Sequence, residues 1–444
     1  MIVNVQAAKK KVNLLFETFR RYWLLYINSR MVGIFFLAIS TGLPVSLGVD
    51  TFKVWMWEEG TPLELVALLN IASFPYIAKV FFGPIVDQFH IPILHKWLGR
   101  RRSWSLVSQL IMLTGFLLMG QVFATQHITI TIGILILISF ASAFNHTALN
   151  AYRVEIMTPE LNSIAAVVGA LGYRLAKLIA GAGALLLAAA WGWNLTYFII
   201  PMIFVITIIT TLLVEEPPLH ADGPKVIEKG NFKSWFRTRL LQPFKDFVQK
   251  HPVDWKLISL FILLYGIGDF LLEGIATIFY LDIGFNKVDV ANIAKAFGLI
   301  CTIIGGVIGG HLVLLLGIHR MIYITTILHC FSYLSLLMLA HVGDSLPWLY
   351  TSVLVEFITE GMKTSALVSY VSLLCGKTYY TASQYALFSS MKVLLRPIMG
   401  AWAGVLATYL GWSVFFGVSM LLSLLPLIFY YHIKHQPTHH APVS

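Results

Sequence analysis

The chain has 444 residues, of which 58% are hydrophobic, 14% aromatic and only 12% charged, where soluble domains carry roughly a quarter charged residues. A mean hydropathy of +0.78 is more than a buried core can absorb, so apolar side chains must face lipid. That excludes a cytosolic enzyme, a nucleic-acid binder and a secreted disulfide scaffold. The net charge of +10 is accounted for by Lys and Arg in short loops, as membrane topology requires. Cys301, Cys330 and Cys375 are odd in number and lie in apolar runs, so no disulfide, metal or cofactor is expected from them.

In chain order, residues 1–30 lack a small-residue cleavage site. They carry Lys9, Lys10 and Lys11 followed by Phe16, Phe19, Arg20, Arg21, Tyr22 and Trp23. This pattern predicts a cytoplasmic interfacial segment rather than a secretory signal. Apolar runs long enough to cross a bilayer follow at 31–52, 62–86, 104–125, 128–152, 163–190 and 194–214. After a polar stretch they resume at 256–281, 288–316, 321–342, 346–375, 380–409 and 411–432. The expectation is an all-α membrane protein of twelve transmembrane helices: a six-helix bundle over 31–214, a cytoplasmic linker over 215–255, a second bundle over 256–433 and a tail over 434–444.

Cations fix the orientation. Lys96 and Arg100, Arg101 and Arg102 follow the second run, the linker holds seven Lys or Arg, and Arg320 follows the eighth run. In the alternate loops Glu58, Glu59, Asp282 and Asp344 outweigh Lys53 and Lys287. Both termini and the linker are thereby placed in the cytoplasm. A trace of duplication supports the 6+6 division. Gly181-Ala182-Gly183-Ala184 leads to Gly192-Trp193, and Gly400-Ala401-Trp402-Ala403 leads to Gly411-Trp412, both at an offset of 219. Two parallel six-helix repeats are the major facilitator layout, with a site that alternates between the two sides. In the loop after the second run, Gly83 and Asp87 followed by Arg100, Arg101 and Arg102 have the shape of that superfamily's loop signature and are read as a gating clasp.

Charges at bilayer depth are costly and are functional candidates. The sequence places Lys79 in the second run, His146 in the fourth, and Arg174 with Lys177 in the fifth. Asp269 and Glu273 follow in the seventh, Lys295 in the eighth, Glu356, Glu360 and Lys363 in the tenth, and Lys392 and Arg396 in the eleventh. Each reads either as an interhelical ion pair or as a substrate or proton residue. Cations exceed acids, which favours an anionic or oxygen-rich solute.

Most of the chain, from about residue 40 to 420, resembles the AmpG-type permeases, a branch of the major facilitator superfamily that imports anhydromuropeptides. The resemblance rests on Gly42-Leu43-Pro44; Lys79 with Gly83-Pro84 and Asp87; Leu98 through Trp104; Leu171-Gly172-Tyr173-Arg174-Leu175; and Gly268-Asp269. It continues through Lys295 with Gly298-Leu299, Glu356 with Gly361-Met362, Thr364-Ser365-Ala366, and Ser383 through Leu387 before Arg396. It departs from the family where the fourth run usually reads Q-D-x-x-x-D-A. Here Asn145-His146 and Asn150-Ala151 stand instead, with both acids gone. Lys363 stands where the family has a small residue.

The resemblance implies a proton-coupled importer of the bacterial inner membrane, working with a small solute, protons and lipid, as a monomer. Substrate contacts are expected from Lys79, Asn145, Asn150, Arg174, Lys177, Lys295, Lys363, Gln384 and Arg396. Proton coupling is expected from Asp269, Glu273, Glu356 and Glu360, with His146 either a local substitute or a hydrogen-bonded buried imidazole. No nucleotide-binding loop or catalytic pairing marks an enzyme. A siderophore or CoA-type organic-anion permease of the same fold, or a non-transporting membrane sensor, are the competing readings.

Overall fold

In a computed structural model the structure describes residues 28–121, 128–157, 161–217, 242–250, 252–375 and 381–434. The expected N-terminal interfacial segment lies outside them, save for its last three residues, as do most of the linker and the side chains of Lys79, Gly83, Asp87 and Gln384. The described residues are helical and fall into twelve membrane-length segments. In the first half these are α1 Ser29–Glu58, α2 63–88, α3 Arg100–Gln121, α4 Ile128–Ile156, α5 162–191 and α6 Trp193–Leu213. The second half has α7 Trp255–Asp282, α8 Lys287–Leu316, α9 Ile318–Val342, α10 Leu346–Cys375, α11 381–410 and α12 412–434.

Among the described residues, nine helices are long and apolar enough to span a membrane on composition alone. One of the nine, Leu387–Ile433, is 47 residues long and turns back at Gly411, so it is two crossings. α10 carries Glu356, Glu360 and Lys363 in its middle, and α2 passes through a short 3₁₀ turn at Leu69–Ser73. α10 thus reads as less apolar than its neighbours, α2 counts there only as the shorter apolar stretch Leu63–Ala78, and with these two the described segments number twelve.

The sequence repeat has a structural counterpart. Gly192 and Gly411 adopt the same left-handed backbone, at φ 81° and ψ 169° and at φ 73° and ψ 164°, which glycine alone enters without a Cβ penalty. The tryptophan after each donates Nε1 to an acid ending the first helix of its own half. Trp193 reaches Glu58 at 2.7 Å and Trp412 reaches Asp282 at 2.6 Å. Two hydrogen bonds at equivalent places are much harder to obtain by chance than a Gly/Ala match in sequence.

Helices approach closely where glycines meet backbone, as in membranes generally. Gly42 of α1 lies against the Tyr173 carbonyl of α5, and Gly172 of α5 lies against the Phe35 carbonyl of α1. Gly305 of α8 and Gly361 of α10 make the same reciprocal contact with Ile358 and Thr302. Three π-helical turns, Ser46–Thr51 in α1, Ile179–Gly183 in α5 and Val290–Phe297 in α8, interrupt the regular ladder. Thr51 Oγ1 donates to the Ala180 carbonyl at 2.7 Å, tying two of them together. Such turns re-aim side chains at functional sites.

The core is divided in an informative way. One large apolar cluster draws on both halves, with Leu43, Trp55, Ala67 and Ala180 from the first and Leu271, Ile278, Ala294 and Ala403 from the second. The two other clusters each stay within one half: Met31, Ile34, Tyr152 and Ile156 in the first, Phe261, Ile322, Tyr370 and Tyr430 in the second. The short helix Gln242–Lys250 joins the latter through Phe247, which meets Phe388 edge-on. The shared core lies toward the Glu58 and Asp282 loops, and the separate ones lie toward the basic loops.

Gly361→Val places carbon against the Thr302 carbonyl; overpacking of this kind costs about 1–3 kcal/mol, so the unfolding temperature in detergent should fall. Gly310→Ala, where an added Cβ meets nothing within 4 Å, should leave it unchanged or raise it.

Candidate functional site

Between the two halves lies a cavity of about 380 Å³. Its walls carry Asp50 and Lys53 from α1, Arg174 and Lys177 from α5, Asp269 and Glu273 from α7, Lys295 from α8, Glu356 and Glu360 from α10, and Arg396 from α11. Charged groups from both halves thus share one chamber, and they divide into paired and unpaired sets.

The paired set is fixed. Asp269 accepts Lys363 Nζ at 2.9 and 2.8 Å, His329 Nε2 at 2.8 Å and the Tyr333 hydroxyl at 3.1 Å. His329 meets Thr359 Oγ1 with its other nitrogen at 2.9 Å. Arg396 Nε reaches Glu273 at 3.0 Å, and Lys295 donates to Thr277 Oγ1 at 2.6 Å. Lys53 donates to the Gly274 carbonyl at 2.6 Å and to Asn70 Oδ1 at 3.0 Å, with Asp50 at 3.6 Å. Asn70 Nδ2 in turn reaches the Gly400 carbonyl at 3.0 Å. Lys53 and Asn70 of the first half therefore grip backbone of α7 and α11 in the second. A further tie, Lys287 to Glu58 at 2.8 Å, joins the halves near the acidic loops.

The unpaired set is asymmetric. Arg174 and Lys177 make no hydrogen bond or ion pair with any described residue. Lys177 lies 219 residues before Arg396, its counterpart under the repeat. Across the chamber, buried Glu356 has no partner for Oε2, and Glu360 one turn on makes no ion pair among the described residues. One wall offers open cations and the facing wall open carboxyls.

The other sequence candidates sit elsewhere. Asn145 is fully buried, accepting from Ser105 at 2.8 Å and donating to Ser40 at 2.8 Å, away from the chamber. Lys363 is held on Asp269 and does not line the chamber. His146 and Asn150, 2.8 Å apart, line a separate cavity among α1, α4 and α5. Arg100 and Arg101 pair with Glu155 of α4. Arg102 donates to the Thr211 and Leu212 carbonyls at the end of α6, and Glu216 accepts the first backbone N–H groups of α3. All these described contacts stay inside the first half. Lys79, Gly83, Asp87 and Gln384 lie outside the described side chains.

Two residues of the site escape a reading of the sequence. A first apolar run that ends at 52 puts Lys53 in an outer loop; α1 continues to Glu58 and buries Lys53. Its signal is Asp50, one turn back on the same face. His329 lies inside an apolar run where a lone imidazole is ordinarily a core residue; only the fold brings it to Asp269.

With this geometry in place, comparison with known proteins decides the family. The family model described as "Major Facilitator Superfamily" matches residues 22–398. The chain belongs to the major facilitator superfamily. Within it, the "Putative transporter AmpG 4" of Rickettsia conorii is 33% identical over 407 residues, covering 91% of this chain and 96% of that protein. The "Anhydromuropeptide permease" of Escherichia coli K12 is 29% identical over 410 residues, covering 92% and 80%. The chain is an AmpG-type member, a multi-pass membrane transporter and not an enzyme. A D-xylose–proton symporter structure aligns at a TM-score of 0.68 with 11% identity, over 91% of this chain and 97% of that one. A POT-family transporter in complex with 5-aminolevulinic acid aligns at 0.67 with 14% identity, over 90% and 96%. At such identities the two structures speak for the fold alone.

Removing one member of a buried charge pair costs about 3–5 kcal/mol, far more than replacing both members with neutral groups. Lys363→Met should therefore destabilise the detergent-solubilised protein strongly, and Asp269→Asn together with Lys363→Met should recover much of the loss in a thermal unfolding series.

Proposed function

We propose that the chain is a proton-coupled importer of an anhydromuropeptide-class solute across a bacterial inner membrane, with both termini and the basic loops in the cytoplasm. The observation that carries this reading is the divided chamber: unpaired Arg174 and Lys177 on one wall, unpaired Glu356 and Glu360 on the other. Charges at bilayer depth are costly and persist where a ligand or a proton completes them. Arg174 and Lys177 hold substrate oxygens; an arginine suits a carboxylate because its planar fork presents two parallel donors. Glu356 and Glu360 carry the proton. Asp269, with three donor groups already upon it, serves as a fixed strut in the second half.

Transport proceeds by rocking of the two bundles about the chamber. The shared core and the Lys53–Asn70 grip close the acidic-loop side, so this state faces the cytoplasm. Opening to the other side requires Lys53 and Asn70 to leave the Gly274 and Gly400 carbonyls. Substrate and proton shift the balance only through their different affinity for the two states. The names of the AmpG relatives support the muropeptide class over a siderophore or CoA-type anion.

Proteoliposomes with an imposed pH gradient, acid outside, should accumulate a radiolabelled anhydromuropeptide and not an iron-loaded siderophore. Glu356→Gln should abolish the gradient-driven accumulation and leave substrate exchange at equal pH intact, because exchange needs no net proton movement. Accumulation by Glu356→Gln at the wild-type rate would remove Glu356 from the coupling path.

A further inference from the structure

A second cavity, of about 260 Å³, opens among α1, α4 and α5 of the first half. Its polar lining is Thr41, His146, Asn150, Arg153 and the tyrosines Tyr152 and Tyr173, and no described Asp or Glu borders it. His146, Asn150 and Arg153 follow at i, i+4 and i+7, the spacing that puts three side chains on one face of a helix.

Arg153 is the decisive residue. Its Nε is buried with no hydrogen-bond partner, and no ion pair to any described residue satisfies the guanidinium. Its neighbours on α3, by contrast, are all engaged: Arg100 and Arg101 use Glu155, and Arg102 uses the end of α6. A guanidinium whose Nε is buried without a partner, while an acid two residues away serves other arginines, has a place for an anion that no described residue supplies. Asn150 adds to this. Its Nδ2 donates to His146 Nδ1 at 2.8 Å, and the second hydrogen of that amide remains for the cavity.

The cavity adjoins the main chamber: Ala170 and Tyr173 of α5 line both spaces. Arg153 lies about two helical turns, roughly 10 Å, along α4 from His146, toward the basic-loop end.

We propose that this cavity is a second subsite of the transport path, taking a carboxylate at the far end of the substrate, with Arg153 as the principal ligand and Asn150 as a supporting donor. The polar body of the substrate fills the chamber beside Arg174 and Lys177, and its acidic tail reaches past Tyr173 to Arg153. The substrate is accordingly long and carries a free carboxylate remote from its main body. This rests on the transport reading above and adds a specificity element to it. The missing fourth-run acids fit the same account, since an aspartate at 146 or 150 would repel the group that Arg153 attracts.

The test uses the full-length protein and two probes: an anhydromuropeptide with a free C-terminal carboxylate, and the same molecule with that carboxylate amidated. Binding to purified protein is measured by calorimetry, and uptake by proteoliposomes. Wild type should bind the carboxylate form about tenfold more tightly, the effect of one charge-assisted bond of about 1.5 kcal/mol. Arg153→Gln should bind both equally, and Arg153→Lys should restore part of the preference. Arg174→Gln should weaken both probes and leave their ratio intact. A tenfold preference that survives Arg153→Gln, or no preference in wild type, overturns the subsite. Binding with an Arg153-dependent preference but no uptake would keep the subsite and reject the importer; uptake with an Arg153-independent preference would do the reverse. Failure of both probes to bind overturns both readings.

Discussion

Everything in this molecule depends on how the two halves hold each other across lipid, where no hydrophobic force favours helix on helix over helix on acyl chain. The answer is backbone reached by polar side chains. Lys53 and Asn70 project from α1 and α2 onto the carbonyls of Gly274 and Gly400; Asn70 fits because Gly400 lacks a side chain, and Gly274 in turn packs directly on the Gly400 backbone. Asn70 sits so close to Gly400 that an added Cβ would lie 2.8 Å from its amide carbon. Once that grip is made, Asp50, Lys177, Glu273 and Arg396 are brought round one space, and the apolar cores on the opposite side are left separate.

The same logic separates struts from open charges. Lys363, His329 and Tyr333 converge on Asp269, giving the second half an internal cross-brace between α7, α9 and α10. Arg101 and Glu155 brace α3 to α4 in the first half. These groups satisfy one another and ask nothing of a ligand. Arg174, Lys177, Glu356 and Arg153 are not satisfied by any described residue, and they lie along two adjoining spaces. The distinction between braced and open charge, more than charge as such, is what points to a transport path.

Much of the architecture is written in the chain. Its apolar runs, the alternation of basic and acidic loops and the 219-residue repeat foreshadow twelve helices in two equivalent bundles, because those signals act through lipid contact and need no long-range packing. The list of intramembrane charges is legible for the same reason. Their partners are not. Whether Asp269 faces solute or a lysine depends on where α10 lies, and the sequence holds no distance between residues 269 and 363. Lys53 shows the sharpest limit: a hydropathy run ends at its first charges, so a lysine inside the membrane at the end of a helix is read as a loop residue. His146 and Asn150 illustrate another, since a polar residue at bilayer depth on α4 lines a different cavity, and no α4 residue lines the chamber.

The measurement that bears most directly on this account is one-sided labelling of the chamber. In a background lacking Cys301, Cys330 and Cys375, Ala170→Cys places a thiol where the two cavities meet. A membrane-impermeant maleimide should reach it from the basic-loop side and not from the acidic-loop side, and replacing Lys53 and Asn70 by alanine should open the second route. Equal labelling from both sides with the grip intact, or protection from both, would contradict it.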